Sequence, residues 1–395
     1  MGRWCACAAK ACWGLKVQRQ NITPASTLSN LARALASSFK RPGPVRALAP
    51  VTLVLPRVVV DAAHLARYAE VCGFAPSAQA PLTYPQMLTF PLVMTYMTSP
   101  ACPWPAMGTV HLANAITQHA PLAAGDAVRV ELSSGELLAH DKGQVFTLHL
   151  RVLRESDGEG DGQCVWQATQ TLLRLGVKSP VGAPFNGAVG PELALTQAGA
   201  FDAPADTGRR YAPVSGDYNP IHLSALSARL FGFPRAIAHG LWTQARALAL
   251  LQAAAPATVL QAASLTTVFK RPVLLPTRAS LWQAQASTGQ TVFEVRDARG
   301  EQVHLRSELR AEAEAAYELG HVMLAGALQQ DCVAEILGRR PCRRFERGNR
   351  GRTGPSGEGG CSVGRRKRRQ VGRSRLSRAL SPSYDDGTLC NDRAP

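Results

Sequence analysis

A carboxylate, an amide and an imidazole fall within six residues in the stretch Ser215-Gly216-Asp217-Tyr218-Asn219-Pro220-Ile221-His222. Asp217 offers a carboxylate, Asn219 an amide and His222 an imidazole, the group whose charge changes near neutral pH. Gly216 and the Asn219-Pro220 step exclude a regular element, so this polar cluster is expected on a turn. Gly-Asp-x-Asn-Pro is also an ordinary turn composition, and a plain surface loop is the competing reading. Downstream, Ala238-His239-Gly240 opens a run from Leu241 to Ala254 that is rich in Ala and Leu and stops before Pro256. That run is a strong helix former with apolar residues on nearly every face, so it is expected to be buried along most of its length. The first N–H groups of such a helix lack intrahelical partners, and Gly240 lets a ligand approach the backbone there. A carbonyl oxygen is the natural guest, while His239 reads as a helix-start residue rather than an acid.

The elements that must hold this cluster follow from periodicity. After the helix come Leu265–Phe269, Ala279–Ala284, Gln290–Val295 and Gln302–Leu309, short runs that alternate with period 2 and are separated by Gly, Pro or Asp-Ala-Arg-Gly. They read as an antiparallel meander. One buried helix followed by a meander predicts a sheet wrapped around that helix.

The segments Gly216-Asp217-Tyr218-Asn219-Pro220-Ile221-His222, Ile237-Ala238-His239-Gly240 and Phe269-Lys270-Arg271-Pro272-Val273 together resemble the MaoC-like family of hot-dog-fold hydratases and dehydratases. The resemblance covers residues 205–312. It implies an α+β hot-dog fold and reversible hydration of enoyl thioesters to (R)-3-hydroxyacyl thioesters, with Asp217 and His222 as the acid–base pair. It further implies Asn219 as their orienting partner and the Gly240 N–H as the donor to the thioester carbonyl. Pro276-Thr277 departs from the family, which often has Gly-Asp at that strand turn. The chemistry needs neither a metal nor a redox cofactor, since the substrate arrives on coenzyme A or on an acyl carrier protein. Lys270 and Arg271 are candidates to meet carrier phosphates, against the reading that a cationic pair at a strand end is merely solvated. A hot-dog thioesterase and a non-catalytic acyl-thioester-binding protein are the alternatives; the first would not need His222 beside a water-activating carboxylate.

The preceding 58–175 span reads as a worn copy of the same unit. Arg67-Tyr68-Ala69-Glu70-Val71-Cys72-Gly73 matches Arg210-Tyr211-Ala212-Pro213-Val214-Ser215-Gly216 at five of seven positions. Gly108–Pro121 parallels the strand leading to Pro272, and 126–132, 144–150 and 167–173 read as the later strands. Two copies predict a tandem, double hot-dog chain that is a pseudo-dimer by itself, present as a monomer or a homodimer of such units. Where the second copy has Asp217, Asn219 and His222, the first has Phe74, Pro76 and Gln79, and Gly240 becomes Pro85, which has no N–H. The first copy is therefore expected to be catalytically empty, completing the sheet and widening an acyl tunnel. Met87, Met94 and Met97 recur at helical spacing in it, suited either to core filling or to lining an adaptable apolar channel.

The chain has 395 residues and a formal charge of +16, but the charge is unevenly placed. Residues 1–60 hold nine basic and no acidic side chains, and 339–395 hold sixteen basic and five acidic, which leaves a net of −4 for 61–338. Nucleic acid is thus an unlikely partner for the folded part. Residues 1–57 read as a basic extension, either a transit segment directing the protein to mitochondria through 1–45 or an over-long start. Residues 176–204 read as a linker, 313–337 as a helical extension and 338–395 as a disordered basic tail. No apolar run reaches membrane-spanning length, and the ten scattered cysteines fit free thiols in a reducing compartment, so a soluble cytoplasmic protein is expected.

Overall fold

Alternating apolar and polar residues suit a strand with one covered face. The computed structural model describes residues 18–311 apart from 24–25, 42–44, 156–161, 256–259 and 288. The expected helical extension, the basic tail and the first seventeen residues, with Cys5, Cys7 and Cys12, lie outside the described residues. In chain order the elements are β1 (Gln18–Asn21), α1 (Thr27–Ser37), β2 (Val51–Val59), α2 (Ala62–Cys72), α3 (Pro85–Thr98), β3 (Thr109–Gln118), β4 (Ala127–His140), β5 (Gly143–Arg154) and β6 (Gln163–Leu175). Then follow β7 (Ala183–Pro184), β8 (Thr196–Ala203), α4 (Thr207–Ser215), a 3-10 turn (Pro220–His222), α5 (Ala225–Arg229), α6 (Gly240–Ala254), β9 (Ala263–Phe269), β10 (Thr277–Ser287), β11 (Gln290–Asp297) and β12 (Val303–Ala311).

The strands form one sheet in the order β1-β2-β4-β5-β6-β3-β9-β12-β11-β10-β8, with β7 paired to β4. Reading outward from the β3–β9 pair, each half has the same order: β3-β6-β5-β4-β2 on one side and β9-β12-β11-β10-β8 on the other. This is the α+β double hot-dog arrangement, with α3 and α6 as the two buried helices. The helices α2 and α4 occupy equivalent places, and each ends at a left-handed glycine, Gly73 at φ 79° and Gly216 at φ 75°. Only a residue without Cβ adopts that conformation cheaply, which is why both copies keep it.

Regular elements also occur in the segments expected to flank the repeats. Each repeat begins with a strand ahead of its first helix: β2 starts at Val51, before position 58, and β8 occupies the end of the 176–204 segment. Residues 18–57 also contain β1, paired parallel to β2, and α1, which packs on α3. The basic composition of the stretch hides these elements, since charge says nothing of the one-turn spacing by which α1 buries Ala34 and Ser37.

At the seam the register places Asn114 opposite Thr267. Gln170 donates to Gln86, Gln86 to Asn114, Asn114 to Gln244 and Gln244 to Thr267, at 2.8–3.1 Å. All five side chains are buried, so their amides satisfy one another in place of water. Among the described residues no helix is long and apolar enough to cross a membrane.

Candidate active site

The site is built where α4 stops. Gly216 turns the chain out of the helix, the Ser215 hydroxyl accepts from the Asp217 N–H at 3.1 Å, and Asp217 Oδ1 accepts from the Asn219 N–H at 3.1 Å. Asn219 then caps the 3-10 turn through its Oδ1, which accepts from Ile221 N–H at 3.4 Å. This is an Asx-type turn, in which the side chain replaces a backbone acceptor. His222, at the end of the turn, donates from Nδ1 to the Ile237 carbonyl at 2.8 Å. Because that partner only accepts, Nδ1 carries the hydrogen and Nε2 keeps its lone pair in the neutral ring.

Ile237 and Ala238 are held as a short strand, the Ala238 N–H donating to Val273 at 2.9 Å, before α6 starts at Gly240. The Gly240 N–H therefore has no acceptor within the helix and lies at its positive end. A Cβ on Gly240 would sit 3.1 Å from the Phe269 ring, so the position is close-packed as well as exposed to the cavity. His239 caps α6 from within the site: its ring stacks on His222 with centroids 3.7 Å apart, and Nε2 donates to the Asp217 carbonyl at 3.0 Å. The sequence reading had placed His239 at the helix start alone. Stacking across 17 residues of chain leaves no spacing signal, which is why its membership of the cluster was missed.

Asp217, Asn219, His222, His239 and Gly240 all line one cavity of about 430 Å³. An apolar part of its lining comes from the first half: Met87, Phe90, Val93, Met94 and Met97 of α3. The three methionines serve both readings, since Met87 and Met97 are buried in the core and all three face the cavity. Lys270 and Arg271 stand exposed at the rim, and among the described residues neither side chain forms an ion pair. His111, on β3, also lines this cavity and tilts on Phe269 at 5.1 Å; no spacing pattern in the sequence had singled it out.

Burial lowers the pKa of His222, with the Asp217 charge opposing it. Burial, then the neighbouring His222, pulls His239 down to about 3, and burial takes His111 to about 4. All three imidazoles are therefore neutral at pH 7. Asp217, His222 and His239 have ligand atoms within 4.8 Å of one another, the set among the described residues that invites comparison with a metal centre. Each imidazole already spends one nitrogen on a backbone carbonyl, and the rings lie within 25° of parallel. Lone pairs of stacked rings run side by side rather than converge on one ion, so the set fits proton transfer better than zinc-like coordination.

Residues 188–304 match the MaoC like domain. The chain is 37% identical over 269 residues to 3-hydroxyacyl-thioester dehydratase X of Mycobacterium tuberculosis, covering 68% of this chain and 92% of that protein. The chain belongs to the MaoC-like dehydratase family. A crystal structure of HtdX from the same bacterium superposes with a TM-score of 0.56 at 34% identity, over 66% of this chain and 100% of that one. A MaoC-like dehydratase of Phytophthora capsici shares the fold at 16% identity, with a TM-score of 0.53 over 71% of this chain and 99% of that one. The 269 residues aligned with the mycobacterial relative outnumber those of the second repeat, so the likeness to that protein extends beyond the matched domain at 188–304.

Proposed function

We propose that this chain is a hydro-lyase interconverting 3-hydroxyacyl and trans-2-enoyl thioesters. The observation that carries the reading is that Asp217, Asn219, His222 and Gly240 line a single cavity whose remaining lining includes apolar side chains of α3. A water in that cavity has two hydrogens, and the Asp217 carboxylate and His222 Nε2 are two acceptors for them. Held so, its oxygen lone pair is free to attack C3 of the enoyl thioester. As the C3–O bond forms, the C2=C3 pair moves toward the carbonyl, a water proton passes to the Asp217–His222 pair, and negative charge grows on the thioester oxygen. The Gly240 N–H at the helix start stabilises that oxygen, a contribution of about 3 kcal/mol for a donor of this kind. Return of the proton to C2 completes the (R)-3-hydroxyacyl thioester, and dehydration is the reverse. Asn219 contributes by fixing the turn that orients the two acceptors. The rim cations Lys270 and Arg271 suit the phosphates of coenzyme A or of an acyl carrier protein.

The test follows the conjugated absorbance of crotonyl-CoA with the wild type, Asp217→Asn and His222→Asn. The wild type is expected to consume it, and each variant to lose about 10² to 10⁴ in kcat while keeping its melting temperature. Because the two groups share one water, the double variant is expected to lose little more than either single one. No turnover of crotonyl-CoA or a longer enoyl-CoA by the wild type would sink the reading.

A further inference from the structure

Helix α1 carries none of the groups the proposed chemistry uses, yet it stands directly against the catalytic turn. Asn30 and the buried Ala34 wall a pocket of about 80 Å³ whose opposite side is the turn from Gly216 to Asn219. Phe90, Met94, Ala106 and Met107 close it, so the surface beneath α1 is mostly apolar. Phe90, Met94, Ala106, Asp217 and Asn219 line both this pocket and the 430 Å³ cavity, which makes the two spaces neighbours at the reacting carboxylate. Lys270 and Arg271 line only the larger one.

The helix is anchored at its end. The Ala106 N–H donates to the buried Ser37 hydroxyl at 3.0 Å, and Ser37 donates onward to the Ala34 carbonyl at 2.6 Å. Just past α1, Lys40 Nζ donates to the carbonyls of Met97, Ser99 and Cys102 at 3.2, 2.8 and 2.8 Å. That uses all three hydrogens of the ammonium, at the C-terminal, negative end of α3. The same α3 supplies an apolar part of the cavity lining, so α1 and that lining are held in one register.

We propose that α1 is the specificity-determining wall of the acyl site: the acyl chain runs from Asp217 past Phe90 and Met94 into the pocket beneath Ala34, and α1 sets the chain length accepted. The proposal rests on the hydro-lyase reading above. The carrier arm enters from the cationic rim, so the tail of the acyl group must continue on the other side of the reacting carbons. Beneath α1 it meets apolar side chains, two of them flexible methionines that adjust to an alkyl chain at little cost.

The experiment uses the full chain with Ala34→Phe, which fills the pocket, and Met94→Ala, which widens the way into it. The quantity read is the ratio of kcat/KM for trans-2-decenoyl-CoA to that for crotonyl-CoA, with the Kd ratio of decanoyl-CoA to butyryl-CoA beside it. Ala34→Phe is expected to lower the preference for the longer chain about tenfold, and Met94→Ala to raise it about threefold. Ratios within twofold of the wild type in both variants, or moving in the same direction, overturn the proposal. Should Ala34→Phe fail to fold by its melting curve, the Met94→Ala ratio decides. A wild type that turns over neither substrate defeats the hydro-lyase reading, and the Kd ratios then still decide the role of α1.

Discussion

The bond from His222 Nδ1 to the Ile237 carbonyl decides which imidazole nitrogen is left to do chemistry. His239 and His222 share the same buried place, and the price of that burial falls due in acid. For His222, His239 and His111 the folded pKa is lowered from 6.5, to about 3 for His239 and about 4 for His111. The unfolded chain binds protons to these rings below about pH 6.5 while the folded chain does not, so folding stability is full above pH 6.5 and declines as pH falls toward 3 to 4. His239 and His111 each add a slope of up to about 1.4 kcal/mol per pH unit in that window, and the lowered pKa of His222 acts in the same direction. Melting temperature between pH 8 and 4 is expected to be flat above 6.5 and to fall below it, with a shallower fall in His111→Leu. A curve level down to pH 5 would contradict this. At this scale Asp217, Asn219 and His222 were legible because they are adjacent in sequence; His239 and His111 were not, because stacking and burial join residues from different elements.

Elements place these residues through close backbone approaches. Gly208 in α4 lies so near the turn that a Cβ there would stand 1.9 Å from the His222 carbonyl oxygen, which is backbone and has no rotamer by which to retreat. Gly208→Ala is therefore expected to displace His222 and cut kcat by about 10²-fold, the scale of a 1 Å misplacement. Gly199→Ala, where nothing lies within 4 Å, is the control and is expected to leave activity unchanged. Steady-state kinetics on both variants check the pair, and equal effects would refute the argument. The chain between Gly216 and Gly240, longer than that between Gly73 and Pro85, includes the 3-10 turn that carries His222, followed by α5. The buried helix after Gly240 was readable as pattern, and the likeness of residues 67–73 to 210–216 as a repeat. The strands β2 and β8 were assigned to flanking segments, since the repeat signal on which the boundaries rested began only with the helices.

Across the whole molecule the two halves meet at β3 and β9, and the buried amide chain through Asn114 crosses that seam. Asn114→Leu leaves the Gln86 Nε2 and Gln244 Oε1 without their partners in a dry interior. At about 1–3 kcal/mol for each stranded group, the loss is about 2–6 kcal/mol. Urea unfolding is expected to show a lower midpoint with an unchanged slope, since the surface exposed is the same. A midpoint equal to the wild type would show that the network contributes nothing net. The sequence by itself pointed to the hot-dog fold through the family resemblance of its motifs, and to two similar units through the likeness of residues 67–73 to 210–216, because both signals lie in short runs of adjacent residues. Only the tertiary structure decided that His239 and His111 join the site and that α1 lies against the turn that carries Asp217 and Asn219. Those relations are contacts between surfaces far apart in the chain, and packing shape, which composition and spacing do not encode, selects them.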